Sequence, residues 1–108
     1  MLESLEVAVV EWAKEKGIFE AADPLAQMKK TYEEVGELGM AVALSDHIDG
    51  DDGDIDEMLI DGIGDVTVTL IIQAHMRGLT LGQCLAHSYH VISKRTGRMV
   101  DGVFVKDE

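Results

Sequence analysis

The chain has few of the residues that would place a protein outside the cell or in a membrane. Among its 108 residues there is a single cysteine, Cys84, so no disulfide can form within one chain. No apolar run approaches the roughly 20 residues that a membrane-spanning helix needs. Glu3, Glu6 and Glu11 lie where a signal peptide would carry a basic start and an unbroken apolar stretch. We therefore expect a cytoplasmic protein with no membrane partner.

Basic residues are also scarce. Nine Lys and Arg side chains face 21 Asp and Glu side chains, which gives a formal net charge of -12 at pH 7. Nucleic acids and anionic membrane surfaces bind proteins mainly through Lys and Arg. The charge balance thus argues against non-specific binding to either, although an anion bridged by a metal ion stays compatible with it.

Proline occurs only once, and its position favours a helical interpretation of the chain. Pro24 follows Asp23, and an Asp-Pro pair suits the N-cap and first turn of a helix. The apolar spacing predicts four helices: residues 2 to 16, Pro24 to about Ser45, about Asp54 to Arg77, and a fourth from the Thr80–Gln83 capping box to near Gly97. The sequence predicts one all-α domain over residues 1–108, an antiparallel four-helix bundle-like fold that is oligomeric and has an extended C-terminal tail.

Carboxylates lie beside the predicted core on two of these helices. On the second helix, Glu34 and Glu37 follow a stripe that adjoins the apolar face. On the third helix, Glu57, Asp61 and Asp65 continue the stripe of the apolar residues that follow them, so Asp65 is predicted to point inward. A desolvated carboxylate without a partner costs several kcal/mol, so an inward cluster calls for a compensating cation.

A divalent ion is the cation that fits such a cluster, because the basic residues are too few to neutralise four or five carboxylates in one place. Mg²⁺, or alternatively Mn²⁺, accepts oxygen ligands and keeps open positions for water and phosphate. The alternative is that Glu33, Glu34 and Glu37 form an ordinary solvated acidic helix face. Glycines at 36, 39, 62 and 64 favour close helix packing, since glycine costs about 1 kcal/mol within a helix.

The segments KKTYEEVGEL and DGIGDVTVTLIIQA, with the ending ISKRTGRMVDGVFVKDE, resemble the MazG-like nucleotide pyrophosphohydrolases of the all-α NTP pyrophosphatase group, in particular small phage-type members. The resemblance runs from about Trp12 to the C-terminus. It implies hydrolysis of a nucleoside triphosphate or deoxynucleoside triphosphate to the monophosphate and pyrophosphate. It also implies a homodimer or homotetramer and a bacterial or phage-infected bacterial cell.

The family signature is E-x-x-E followed by E-x-x-D, and together these acidic pairs hold Mg²⁺. Glu34 and Glu37 match the first pair, and Asp65 matches the last position. The remaining position falls on Gly62, so Asp61 is assigned to the missing ligand, with Glu57 as a reserve. The resemblance thus implies the metal ligands Glu34, Glu37, Asp61 and Asp65. Either Glu33 or Glu34 is the expected general base, and spacing does not distinguish between them.

Substrate contacts are expected from two regions. Lys94, Arg95, Arg98 and Lys106 lie within the last fifteen positions, and such clustering in an acidic chain suggests a phosphate-binding group. Dipole pairing at a helix C-terminus is the alternative for Lys94 and Arg95. The resemblance favours Arg95 and also Lys30, which precedes the glutamates. Gln27, Tyr89 and Trp12 are candidate contacts to the base, with packing as the alternative for each.

Two other segments have features of metal-binding motifs. Cys84, His87 and His90 have zinc-like spacing, but positions i, i+3 and i+6 drift off one helix face, so a buried thiol and two surface histidines are expected instead. The acidic stretch DHIDGDDGDIDE does not match the register of a calcium loop and is interpreted as a flexible connection bordering the metal site.

The rival hypothesis is a non-catalytic acidic helical domain that binds a basic partner protein. It accounts for the net charge of -12 but not for the position of Asp65 in an apolar stripe. The sequence does not determine the preferred base or sugar.

Overall fold

The computed structural model describes residues 1–47 and 53–108, and most of them are helical. The helices and strands, in chain order, are α1 (Leu2–Glu15), α2 (Pro24–His47), α3 (Gly53–His75), α4 (Leu81–Ile92), β1 (Gly97–Val100) and β2 (Val103–Lys106). The all-α prediction is therefore confirmed in its coarse form. Within the described ranges, no helix is both long enough and apolar enough to cross a membrane.

Hydrogen bonds to N-cap side chains are present at the predicted starts of α2 and α4. The Asp23 carboxylate accepts from the backbone N–H groups of Leu25 and Ala26 at 3.0 and 3.3 Å, which caps α2. At α4, Thr80 Oγ1 accepts from the Gln83 N–H while Gln83 Oε1 accepts from the Thr80 N–H, so the capping box is complete. Gly17 and Gly78, at positive φ, follow the ends of α1 and α3 as predicted.

Helix α3 is the central element of the described structure. It packs against α1, α2 and α4, and its contact with α2 is the most extensive between any two helices. Gln27 Nε2 on α2 donates to the Thr69 carbonyl on α3 at 3.1 Å, and Leu38 on α2 lies against Gly62 on α3. The numbering rises along one helix as it falls along the other, so the two helices are antiparallel.

Helices α2 and α3 approach each other closely at Gly62. A Cβ atom built there would lie 3.0 Å from Leu38 Cδ1 and 3.4 Å from Leu38 Cα, whereas Gly64 and Gly36 have open space at the same position. The prediction of close helix packing is thus confirmed at Gly62, and Gly36, Gly39 and Gly64 do not contribute to it within this chain.

The C-terminal region differs most from the sequence-based expectation. Helix α4 ends at Ile92 rather than near Gly97, because Gly97 begins strand β1. A Cβ at Gly97 would collide with the Val105 carbonyl oxygen and with the Phe104 ring, so this position requires glycine for the strand pairing. The expected extended tail is an antiparallel hairpin, with Val100 opposite Val103 across a two-residue turn.

The hairpin turn has a local cause. Asp101 and Gly102 both have positive φ, 48° and 84°, which is the geometry of a type I′ turn. An Asp-Gly pair between valines is typical of that turn, so the sequence contained the signal for a hairpin.

The hydrophobic core of a single chain is small. Among residues 1–46 and 53–108, four apolar residues are buried: Ala13, Ala41, Ile71 and Ile72. Many large apolar side chains are more than half exposed, including Leu25, Met40 and Ile60 at 77%, 69% and 70%.

The difference between Gly62 and Gly64 can be tested by alanine substitution. Gly64→Ala is expected to raise the free energy of unfolding by about 1 kcal/mol, because alanine favours helix and the added methyl meets open space. Gly62→Ala is expected to be less stable than Gly64→Ala by about 1 kcal/mol or more, because its methyl is pressed against Leu38. Urea unfolding of both variants measures the difference, and equal stabilisation would contradict the close approach of α2 and α3 at Gly62.

Candidate functional site

Glu34 differs from the other acidic residues of the predicted site because its side chain is buried. It is 8% exposed, whereas Glu33, Glu37, Asp61 and Asp65 are all exposed. Helix α2 places Glu34 on the same side as Gln27, Thr31, Leu38 and Ala41, which are buried or half-buried at helical spacing. Glu34 therefore lies on the covered side of α2, whereas Glu37, which the helical wheel placed on the same stripe, is exposed.

Two contacts fix the level of Glu34 along the helix pair. Gln27–Thr69 lies on one side of it and Leu38–Gly62 on the other. Asp65 lies between Gly62 and Thr69 on α3, just as Glu34 lies between Gln27 and Leu38 on α2. Because the helices are antiparallel, Glu34 and Asp65 stand at corresponding heights on neighbouring helices.

Lys30 forms ion pairs with two glutamates of α2. Its Nζ lies 3.2 Å from Glu34 Oε1 and 3.6 Å from Glu33 Oε2. The pKa of the Lys30 ammonium is raised above its ordinary value, first by the hydrogen bond to Glu34 and then by attraction to the charges of Glu34 and Glu33. Lys30 is thus a fixed positive charge one turn before the acidic pair.

Asp65 does not point into a closed core, so the expectation that it points inward is wrong for the single chain. It is exposed at the rim of a groove between α1 and α3, which is also lined by Leu5, Ala8, Val9, Trp12 and Val68. The cavity is about 370 Å³ in volume. The apolar stripe of α3 continues past Asp65 to Ile72, but α1 leaves the aspartate uncovered. Trp12, a candidate for base contact, lines the same groove as Asp65.

The predicted metal ligands are not gathered into a formed metal centre. Among residues 1–46 and 53–108, no three side chains of the types His, Cys, Asp and Glu converge closely enough to hold an ion. Glu34 is held by Lys30, and the exposed Glu37, Asp61 and Asp65 are on the two packed helices α2 and α3. The reserve ligand Glu57 is also exposed. The predicted ligand set stays a prediction.

Gln27 has a packing contact in this structure. Its amide nitrogen donates to the Thr69 carbonyl, a bond that links α2 to α3 across 42 positions of sequence. A Gln27 contact to a nucleotide base would have to replace or share this bond.

The basic residues of the C-terminus are brought partly together. Lys94, Arg95 and Lys106 line one cleft between the end of α4 and the hairpin, with Val91, Thr96, Asp107 and Glu108. Arg98 lies on β1 opposite Val105, and Tyr89 is 66% exposed on α4. The described ion pairs of Glu33 and Glu34 are with Lys30, and none of the described ion pairs joins this basic cluster to Glu37, Asp61 or Asp65.

The zinc alternative gains no support from α4. Cys84, His87 and His90 are all exposed, so the expectation of a buried thiol is wrong, and the expectation of surface histidines is confirmed. The His90 ring Nε2 lies 3.1 Å from Lys94 Nζ.

In the acidic stretch DHIDGDDGDIDE, residues 46–47 end α2 and residues 53–57 begin α3, so the expectation of a flexible connection is wrong for these seven residues. Residues 48–52 and their expected role beside the metal site lie outside the described part of the chain.

Two polar residues were missed by the sequence patterns. Glu6 on α1 accepts from the backbone N–H groups of Leu81 and Gly82, and so anchors the start of α4 to α1. Gln73 on α3 has a buried Oε1 without a donor among the described residues. The signal for Gln73 was a lone amide in the apolar run TLIIQAH, whereas Glu6 had no local signal because its partners are 75 and 76 positions away.

Comparison of the chain with family models, with curated proteins and with solved structures found no match. Functional inference thus starts from the residues and geometry of this chain.

The raised pKa of Lys30 gives a test of the site's electrostatics. Glu34→Gln is expected to lower the Lys30 pKa towards its ordinary value, and Glu33→Gln is expected to lower it less, because Glu34 is the larger cause. NMR titration of the Lys30 side chain measures both shifts. Since the folded-state pKa is raised, any stabilisation from the pair is present below the unfolded-state pKa and is lost as pH rises through the folded-state value. A larger effect from Glu33→Gln would contradict the geometry.

Proposed function

We propose that this protein is a metal-dependent nucleoside triphosphate pyrophosphohydrolase, which hydrolyses NTPs or dNTPs to monophosphates and pyrophosphate. The observation that carries the proposal is the buried Glu34 at the height of Asp65 on the neighbouring helix. These are two of the positions that match the acidic signature of the MazG-like enzymes. The helical fold and the antiparallel pairing of α2 with α3 support the same interpretation.

The donor chemistry suits Mg²⁺ or Mn²⁺, since every proposed ligand offers carboxylate oxygen. Glu34, Glu37, Asp61 and Asp65 would hold the ion, and the exposed members would have to rotate towards Glu34 because no three acidic groups converge among the described residues. When bound, such an ion neutralises phosphate charge and lowers the pKa of water. Asp61 is proposed in place of the carboxylate that the signature would put at Gly62, where the approach of Leu38 favours glycine.

The chain's own residues have separate proposed tasks. Glu33 and Glu34 are the two candidates for orienting and deprotonating the attacking water. The ion pairs of Lys30 with both glutamates support a role for Lys30 in orienting them and in meeting a phosphate oxygen. Lys94, Arg95 and Arg98 are proposed to contact phosphate, and Gln27 and Tyr89 to contact the rest of the nucleotide.

We propose further that the protein acts in the cytoplasm as a homodimer or homotetramer, because the apolar core of one chain is small and much apolar surface is exposed. Nucleic acids and membranes are not its proposed partners. Substrate selection among bases and sugars would depend on a few pocket contacts.

Product analysis tests the reaction directly. Incubation of the protein with a panel of NTPs and dNTPs and Mg²⁺ or Mn²⁺ is expected to yield monophosphate and pyrophosphate, resolved from diphosphate and orthophosphate by chromatography. Glu37→Gln and Asp65→Asn are each expected to lower the rate about a hundredfold or more, because each removes a charged metal ligand.

The matched control is Glu15→Gln, which removes an exposed helical carboxylate from α1 and is expected to leave the rate unchanged. Equal loss in the control would make net charge, rather than the α2–α3 carboxylates, the cause. Absence of turnover with every nucleotide would contradict the proposal and leave the acidic face as a surface for a basic protein partner.

Thermal unfolding separates binding from turnover. A triphosphate with a methylene bridge between the α and β phosphorus atoms resists the proposed cleavage, and with Mg²⁺ it is expected to raise the Tm. At a hundred times its dissociation constant a ligand adds about 2.7 kcal/mol, or roughly ten degrees for a chain of this size. Glu37→Gln should abolish the increase, whereas an increase unaffected by that substitution would place the nucleotide elsewhere.

A further inference from the structure

The chain exposes far more surface than a compact monomer of its size. Its accessible surface is 8349 Å², whereas a compact protein of 11.8 kDa exposes about 5,900 Å². Its radius of gyration is 16.6 Å, against about 13 Å for a compact chain of this length. The excess is roughly 2,400 Å² per chain, or about 4,800 Å² for two chains, which lies within the total of about 2,000 to 5,000 Å² that obligate homodimers bury.

Much of this uncovered surface belongs to the C-terminal arm, defined here as residues 81–108. No residue of α4 is buried, and every residue of β1 and β2 is exposed. Within the described chain, the contact of α4 with α3 is much smaller than that between α2 and α3, and the hairpin strands pack mainly on each other. The arm is therefore an appendage whose own side chains lack a core.

Helix α4 has an apolar stripe with nothing packed on it in the described structure. Leu85, Tyr89 and Ile92 recur at i, i+4 and i+7, which places them on one face, and they are 57%, 66% and 51% exposed. Exposed apolar side chains scattered singly are normal, but a stripe along a whole helix indicates a contact surface.

The hairpin is apolar on both faces. Met99 pairs with Phe104 on one face, and Val100 pairs with Val103 on the other. Met99, Val103 and Phe104 are 65%, 61% and 52% exposed. A lone two-stranded hairpin is marginally stable in water, so four-residue strands with two apolar faces need a partner surface.

Charge indicates which partner can approach the arm. The arm carries four basic and three acidic side chains, one net positive charge, which leaves -13 on residues 1–80. Two copies of this chain would repel each other through residues 1–80, and their arms are the surfaces where like charge opposes contact least. The hairpin strands and α4 also supply apolar area, which is what a homodimer contact uses.

We infer that the C-terminal arm is the contact through which two copies of this chain associate, with Leu85 and Ile92 of the α4 stripe and the apolar hairpin side chains of each copy covered by the other. The inference rests on the oligomer in the proposed function and is independent of the hydrolytic activity. If the protein assembles but does not hydrolyse nucleotides, the inference about the arm still holds and the proposed reaction fails. If a monomer hydrolyses nucleotides, the proposed reaction holds and the inference about the arm is wrong.

The test is the mass of the full chain in solution, measured by sedimentation equilibrium. The unmodified protein is expected to assemble. Leu85→Asp and Phe104→Asp are each expected to raise the dissociation constant at least tenfold, because each places a charge in the apolar contact. Leu2→Asp is the matched control, since Leu2 is a helical leucine that is 61% exposed against 57% for Leu85. The control should assemble like the unmodified chain.

A second measurement on the unmodified chain guards against variants that fail to fold. Hydrogen exchange of the hairpin amides is expected to slow as protein concentration rises through the dissociation constant, because assembly covers the strands. A monomer at all concentrations, or hairpin protection that does not depend on concentration, would overturn the inference. So would folded Leu85→Asp and Phe104→Asp variants that assemble like Leu2→Asp.

Discussion

The antiparallel contact between α2 and α3 is the constraint on which the candidate site depends. It is fixed at Gly62, where the absence of a side chain lets Leu38 approach, and at Gln27, whose amide reaches the Thr69 carbonyl. Between these two points the helices present Glu34 and Asp65 at corresponding heights. A shift along either helix would change the relative height of Glu34 and Asp65, so a packing contact sets their positions along the helix pair.

Lys30 shows how an acidic protein keeps a carboxylate beside its core. Glu34 is almost fully covered, and the ammonium of Lys30 lies close enough to offset its charge while itself being half exposed. The half-exposed Lys30 side chain can rotate into solvent more readily than a buried side chain can. The Lys30–Glu34 ion pair is therefore suited to an exchange in which another cation replaces Lys30 beside the Glu34 carboxylate. This property fits the proposed metal chemistry and follows from an i, i+4 spacing on one helix.

A single chain buries few of its apolar residues in a hydrophobic core. The four apolar residues that are buried in the described part of the chain belong to α1, α2 and α3, whereas α4 and the hairpin bury none. Glu6 fixes the start of α4 to α1 through backbone N–H groups, so the arm is anchored at its base while its apolar faces stay open. An anchored element with open faces is suited to contact a second chain.

The sequence by itself determined the features that depend on near neighbours. The caps at Asp23 and Thr80, the helix stops at Gly17 and Gly78, and the turn at Asp101 and Gly102 all use hydrogen bonds or backbone angles within a few residues, so their signals are local. Only the tertiary structure decided which carboxylate is buried. Glu34 and Asp65 have similar helical surroundings in sequence, but α3 covers the first and α1 leaves the second open, because burial depends on what packs against a helix rather than on the helix's own pattern. For the same reason Gln27 became a link between helices and Gly97 became part of a strand.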